Sequence, residues 1–127
     1  MMISGKPVVL VVEDDTEMNE LQRELLAIHG MESVPAYSGI EAIELSRSCG
    51  ADAILLDIML PEMDGFETCE HLRQDENTDI PIIMLTALDS PECRLQGFAA
   101  GADAYFVKPF DPDEVVKTLR SLMEETK

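Results

Sequence analysis

Three carboxylates, a hydroxyl and an ammonium in this chain stand at the ends of short apolar runs. Glu13 and Asp14 follow Val8–Val12, Asp57 follows Ala53–Leu56, Thr86 closes the run 80–85, and Lys108 follows Ala104–Val107. Runs of this kind read as strands buried on both faces. In an open α/β sheet, residues just past the C-terminal strand ends share one edge, and ligands bind at that edge. Three carboxylates gathered there would repel unless a cation sat among them, and an all-oxygen donor set suits a hard ion such as Mg²⁺. A carboxylate-held ion beside a lysine and a hydroxyl suits phosphoryl chemistry. Ion and ammonium would neutralise phosphoryl oxygens while one carboxylate attacks as nucleophile. Asp57 is the nucleophile candidate because its strand is the most apolar and should be central. Asp14 is expected as a direct metal ligand, Glu13 as one acting directly or through water, and Asp15 as a helix cap. Taken singly, each has a plainer reading, with Asp57 bonded to its own turn and Thr86 to nearby backbone.

Five strands alternating with five helices must position these groups. After the β-branched run Val8–Val12, the residues Met18, Leu21, Leu25 and Ile28 recur at helical spacing, the stripe of an amphipathic helix that Gly30 stops. A weaker strand spans 31–36, and Ser38 with Glu41 forms a capping box for a helix ending near Gly50. Asp64 and Glu67 repeat that logic after the strand at 53–57, opening a helix to about Arg73, ahead of a polar loop at 74–79. Pro81 belongs at the start of the strand 80–85, because proline cannot donate to a ladder. Ser90 and Pro91 read as N-cap and first residue of the fourth helix, which Gly101 closes. Asp111, Pro112 and Glu114 open the fifth helix, with Val115, Leu119 and Leu122 as its stripe. This alternation predicts a single doubly wound α/β domain, a parallel sheet covered by helices on both faces through right-handed crossovers.

Composition excludes several classes of function. The 127 residues, 46% of them hydrophobic, fit one domain with an ordinary core. Acidic residues outnumber basic ones 26 to 9, for a net charge of -17, so direct nucleic-acid binding through a basic face is not expected. Cys49, Cys69 and Cys93 are odd in number and far apart, as in a reducing compartment, and His29 and His71 lack metal-ligand spacing. The first residues lack a signal-peptide core, and no run approaches the roughly 18 residues of a membrane helix, so a cytoplasmic location without membrane contact is expected. Neither GxGxxG nor a P-loop follows any strand, which leaves nucleotide binding without support.

The chain resembles the receiver domain of two-component response regulators over residues 8 to about 122. The resemblance is carried by Val-Val-Glu13-Asp14-Asp15, Leu-Leu-Asp57-Ile-Met-Leu-Pro61-Glu-Met-Asp64-Gly65, Leu-Thr86-Ala87 and Gly101-Ala-Asp103-Ala-Tyr105-Phe-Val-Lys108-Pro109-Phe110. Singly each motif is weak, but together, in order, they are highly specific. The resemblance implies a flavodoxin-like sheet of order 2-1-3-4-5, an order for which a receiver protein is a known example. It implies that Asp57 accepts a phosphoryl group from a phosphohistidine of a histidine kinase or phosphotransfer protein. Mg²⁺ would be held by Asp14, Asp57 and the backbone carbonyl of Met59, with Glu13 assisting through water. Lys108 would pair with a phosphoryl oxygen, and its peptide bond to Pro109 would be cis. Thr86 would move its hydroxyl onto the phosphoryl group and Tyr105 would turn inward, reshaping the face made by the fourth helix, fifth strand and fifth helix. Through that face the domain would meet a downstream effector protein or, when phosphorylated, a second copy; otherwise it is expected to be monomeric.

Glu13 stands where many members of the family carry Asp, and Met59 and Leu88, two residues past Asp57 and Thr86, are both apolar. That pair is expected to shield the acyl phosphate from water. Such a domain catalyses only its own phosphorylation and dephosphorylation and is not an enzyme for a free substrate. A phosphatase of the haloacid dehalogenase type would need an Asp where Met59 stands. The other rival is a phosphorylation-independent interaction module on the same fold. The chain ends about three residues after its last apolar stripe, so the expectation is a receiver domain over 1–127 with no effector domain attached.

Overall fold

A computed structural model describes residues 5–74 and 79–125, so most of the polar loop expected at 74–79 lies outside the described residues. The elements are β1 (Val8–Val12), α1 (Thr16–Ile28), β2 (Glu32–Ala36), α2 (Gly39–Ser48), β3 (Ala53–Leu56), α3 (Gly65–Gln74), β4 (Ile82–Thr86), α4 (Pro91–Ala100), β5 (Ala104–Val107) and α5 (Pro112–Glu125). The strands form one parallel sheet of order β2-β1-β3-β4-β5. Pro35 lies inside β2, which is tolerated because β2 is an edge strand. Pro81 stands just before β4, and its carbonyl accepts from the Ile54 N–H.

Alternate side chains of each strand point to opposite faces and so build two cores. On one face Leu10, Val12, Ile54, Leu56, Ile82 and Met84 meet α2, α3 and α4 through Ala42, Cys69, Leu72 and Ala100. On the other, Val9, Val11, Leu55, Ile83 and Leu85 meet α1 and α5 through Leu26, Val115, Val116 and Leu119. Burial of both faces is why the central strands are continuously apolar.

The caps follow the sequence closely. Asp15 caps α1 by accepting from the N–H groups of Glu17 and Met18. Ser38 accepts from the Glu41 N–H, while the Glu41 carboxylate reaches back to the N–H of Tyr37, one residue before the cap. Asp64 accepts from the Glu67 N–H, Ser90 from the Cys93 N–H, and Asp111 from the Asp113 N–H ahead of α5. Each bond satisfies a helix-start donor that has no intrahelical partner.

The inner face of α1 departs from expectation. An amphipathic stripe ordinarily faces the core, yet Leu21 and Ile28 are 58% and 79% exposed, and the buried residues of the helix are Asn19, Gln22 and Leu26. The helix therefore buries two amide side chains and leaves Leu21 and Ile28 to solvent.

At the N-terminal edge of the sheet, Arg73 in the last turn of α3 fastens three segments. Its guanidinium donates to the carbonyls of Gly101 and Ile80 and, at 2.8 Å, to Asp103, whose carboxylate also accepts from the Ile82 N–H.

Candidate functional site

The parallel ladders carry their order past the strand ends and bring the predicted groups together. The Asp57 N–H donates to the Val12 carbonyl, and the Glu13 N–H to the Ala36 carbonyl. The Lys108 N–H likewise donates to the Thr86 carbonyl at 2.8 Å. Asp57 stands one residue past β3, Glu13 one past β1 and Lys108 one past β5. The Lys108–Pro109 peptide is cis.

Gly65 lets α3 begin directly against the acceptor strand. Its N–H donates to the Ile58 carbonyl at 2.8 Å, and a Cβ there would fall 2.5 Å from the Asp57 carbonyl oxygen and from Ile58 Cα. Only a residue without a side chain admits this approach.

Carboxylate oxygens of Glu13, Asp14 and Asp57 lie within 4.8 Å of one another, and Asp14 faces solvent while the other two are buried. Lys108 Nζ donates to Glu13 Oε1 at 2.9 Å and reaches Asp57 Oδ2 at 3.5 Å. Glu13 Oε2 accepts from the Asp15 N–H, and Asp57 Oδ1 from the Met59 N–H. One ammonium thus touches two of three clustered carboxylates, an arrangement in which a hard divalent cation fits. Burial pushes the Glu13 carboxyl up from its usual value, against the opposing pull of Lys108. For Lys108 burial alone would lower the pKa, but the carboxylates of Glu13 and Asp57 outweigh it and raise it. His29 belongs elsewhere, 3.6 Å from Asp113, and among the described residues no further group of three metal-ligating side chains occurs.

Thr86 is wholly buried, with its hydroxyl oxygen accepting from the Leu88 N–H at 3.3 Å. Tyr105 is only 7% exposed, and its hydroxyl donates to the Leu88 carbonyl at 2.8 Å. Its ring lies beneath Arg94, 5.3 Å from the guanidinium carbon, and against Gly97, where a Cβ would come within 3.1 Å of it. The ring packs inward in this structure, the position that the family resemblance has it taking as Thr86 moves. Burial also raises its pKa. Met59 is 55% exposed and Leu88 half-buried.

Two features of the site escaped sequence reasoning. Wholly buried Asn19 donates from Nδ2 to the carbonyls of Val11, Glu13 and Ala36. An apolar groove of about 650 Å³ also runs from Lys108 and Pro109 between α1 and the start of α5, lined by Met18, Leu21, Leu25, Ile28 and Phe110. The helical spacing of four of those residues is the available signal, but an amphipathic stripe does not announce a groove.

The sequence matches the response regulator receiver domain family over residues 9–120. It is 41% identical over 121 residues to the "DNA-binding dual master transcriptional regulator RpaA" of Synechocystis, covering 94% of this chain and 50% of that protein. It is 42% identical over 119 residues to the response regulator MprA of Mycobacterium ulcerans, covering 94% of this chain and 51% of that protein. Among solved structures, the receiver domain of the Francisella response regulator 1452 superposes with a TM-score of 0.89 at 34% identity, over 96% of this chain and all of that one. The chemotaxis protein CheY4 of Vibrio cholerae gives 0.87 at 34% identity, over 93% of this chain and 99% of that one. The chain spans about half the length of the curated relatives it matches. One of them is named as DNA-binding, so the exclusion of nucleic acid drawn from charge is not borne out for a full-length protein of this kind. Among the described residues no helix is long and apolar enough to cross a membrane. A match running through all five strands, at this identity to named regulators, has one consequence: the chain belongs to the response regulator receiver domain family.

Proposed function

We propose that the chain accepts a phosphoryl group on Asp57 from a phosphohistidine of a sensor kinase or phosphotransfer protein, and that the acyl phosphate switches the face made by α4, β5 and α5. The observation that supports this most is the ammonium of Lys108, shared between Glu13 Oε1 at 2.9 Å and Asp57 Oδ2 at 3.5 Å. An Asp57 oxygen attacks phosphorus, the P–N bond breaks, and its electron pair returns to the donor imidazole. Glu13, Asp14, Asp57 and the backbone carbonyl of Met59 would hold Mg²⁺, which when bound neutralises the phosphoryl oxygens. Lys108 shifts from Glu13 toward the transferred group.

Leu88 joins acceptor and output. Its N–H is held by the Thr86 hydroxyl and its carbonyl by the Tyr105 hydroxyl. The phosphoryl group adds about two negative charges and draws the Thr86 hydroxyl toward them. That movement releases the Leu88 N–H and loosens the loop on which Tyr105 is fixed. Phosphorylation then acts on a ring already inside, by changing what holds it. Leu95 and Phe98, exposed on α4, would meet a downstream partner or a second phosphorylated copy. In a longer protein like the relatives, this acidic half would regulate a separate DNA-binding half.

A protein donor has a seat beside the acceptor. The apolar groove begins at Lys108, which also faces Asp57, so a helix carrying the phosphohistidine would lay its apolar face along α1. The net charge of -17 favours a donor surface with basic residues at the rim.

Incubation with acetyl phosphate and Mg²⁺ should add one phosphoryl mass, absent in Asp57→Asn. No Mg²⁺-dependent gain in a folded protein would favour the phosphorylation-independent module instead. The double variant Leu21→Glu, Ile28→Glu should keep the acetyl phosphate rate and slow transfer from a phosphorylated histidine phosphotransfer protein about thirtyfold, as expected for two lost anchors worth about 1 kcal/mol each. Equal transfer rates would remove the groove from the docking surface.

A further inference from the structure

Asn19 is an asparagine with no exposed surface in the second turn of a helix whose Leu21 and Ile28 face water. Its Nδ2 lies 3.1 Å from the Val11 carbonyl oxygen, 3.0 Å from that of Glu13 and 3.2 Å from that of Ala36. An amide nitrogen has two protons, so at least one of them is shared between two of these oxygens. All three carbonyls sit at the C-terminal ends of β1 and β2, where the parallel ladder runs out. On its other side Asn19 Oδ1 accepts from Arg23 Nε at 2.9 Å, one helical turn on, which fixes which end of the amide faces the sheet. A buried amide held at both ends cannot rotate without stranding a donor, and stranding one is costly.

The Glu13 carbonyl is the one of interest. It belongs to the peptide plane that carries the nitrogen of Asp14, so its direction sets how Asp14 leaves the strand. The carboxylates on either side are anchored through other contacts, Glu13 by Lys108 and the Asp15 N–H, Asp57 by Lys108 and the Met59 N–H. For Asp14, the exposed member of the cluster, the fixed point is its backbone.

We infer that Asn19, braced by Arg23, is the positioning residue of the acidic cluster: by holding the peptide plane between Glu13 and Asp14 it sets the affinity of the three carboxylates for a divalent cation. This rests on reading that cluster as the cation and phosphoryl site. Outer residues that orient ligands typically govern about 10- to 100-fold in metal affinity. A purely structural asparagine would change stability and leave the affinity of the folded protein alone.

The test is Mg²⁺ titration by calorimetry on the full chain, with Asn19→Ala and Arg23→Gln beside wild type. Asn19→Ala should weaken Mg²⁺ binding by about tenfold or more, and Arg23→Gln by a smaller factor in the same direction. Acetyl phosphate labelling of Asn19→Ala should be slow at low Mg²⁺ and recover at saturating Mg²⁺. Should Asn19→Ala fail to fold, the half-buried Arg23→Gln decides alone, and an unchanged affinity there overturns the inference. Wild-type affinity in both variants overturns it while leaving the phosphoacceptor reading intact. Absence of Mg²⁺ binding in wild type overturns both.

Discussion

Glu13 is where burial and charge oppose each other most directly in this molecule. Burial raises its carboxyl, and the Lys108 ammonium holds it down. Cys69 shows burial with less opposition. Its thiol is wholly buried and burial pushes its pKa up to about 11 from 9.0. Between those two values the folded state binds the proton more tightly than the unfolded chain does. The stabilisation is therefore complete below pH 9.0 and is lost as pH rises through about 11. Because the thiolate is the reactive form, iodoacetamide at pH 8 should label Cys49 and Cys93 and spare Cys69 until the protein unfolds. Peptide masses showing Cys69 alkylated as fast as Cys49 would contradict this. Residues of the candidate site differ in how far the sequence revealed them. Asp57, Thr86 and Lys108 were legible because each ends an apolar run, and a parallel sheet brings such ends to one edge. Asn19 was illegible because a polar residue between Met18 and Leu21 reads as solvent-facing, and only the tertiary contact with the β1 and β2 carbonyls shows otherwise.

At the scale of elements, the starts of helices were written locally and the faces of helices were not. Ser38, Asp64 and Ser90 each accept from an N–H three residues on, so spacing alone announces them. Which stripe of α1 is buried depends on the sheet beneath it and on the groove beside Phe110, neither of which is local. The join between β3 and α3 is the tightest contact of an element with the site. A methyl group at Gly65 would meet main-chain atoms of Asp57 and Ile58, which cannot swing aside as a side-chain tip can. Gly65→Ala should therefore lower stability by about 1–3 kcal/mol, as overpacking does, and slow acetyl phosphate labelling by displacing the Asp57 backbone. A urea midpoint and labelling rate equal to wild type would show that the approach is looser than described.

For the whole molecule, alternation of five strands and five helices was enough to predict a doubly wound parallel sheet, while the order β2-β1-β3-β4-β5 came with the family resemblance. Strand order is decided by pairing between segments far apart in the chain, which periodicity does not encode. Nor did spacing hint that Arg73 in α3 would fasten Ile80, Gly101 and Asp103. Arg73→Ala should speed amide exchange at Ile82 and Asp103 and cost about 1–3 kcal/mol for the donors and acceptors left unpaired; unaltered protection there would discount the fastening. All of these bonds lie at the edge of β4 and β5 remote from Asp57, whereas Thr86, Leu88 and Tyr105 lie at or toward the near one. The last two strands thus behave as a cantilever, clamped at the foot and loaded at the tip. A charge placed on Asp57 would load that tip, so displacement of α4 would be greatest at its start, near Ser90 and Pro91, and would fade through Leu95 and Phe98 toward Gly101 at the foot.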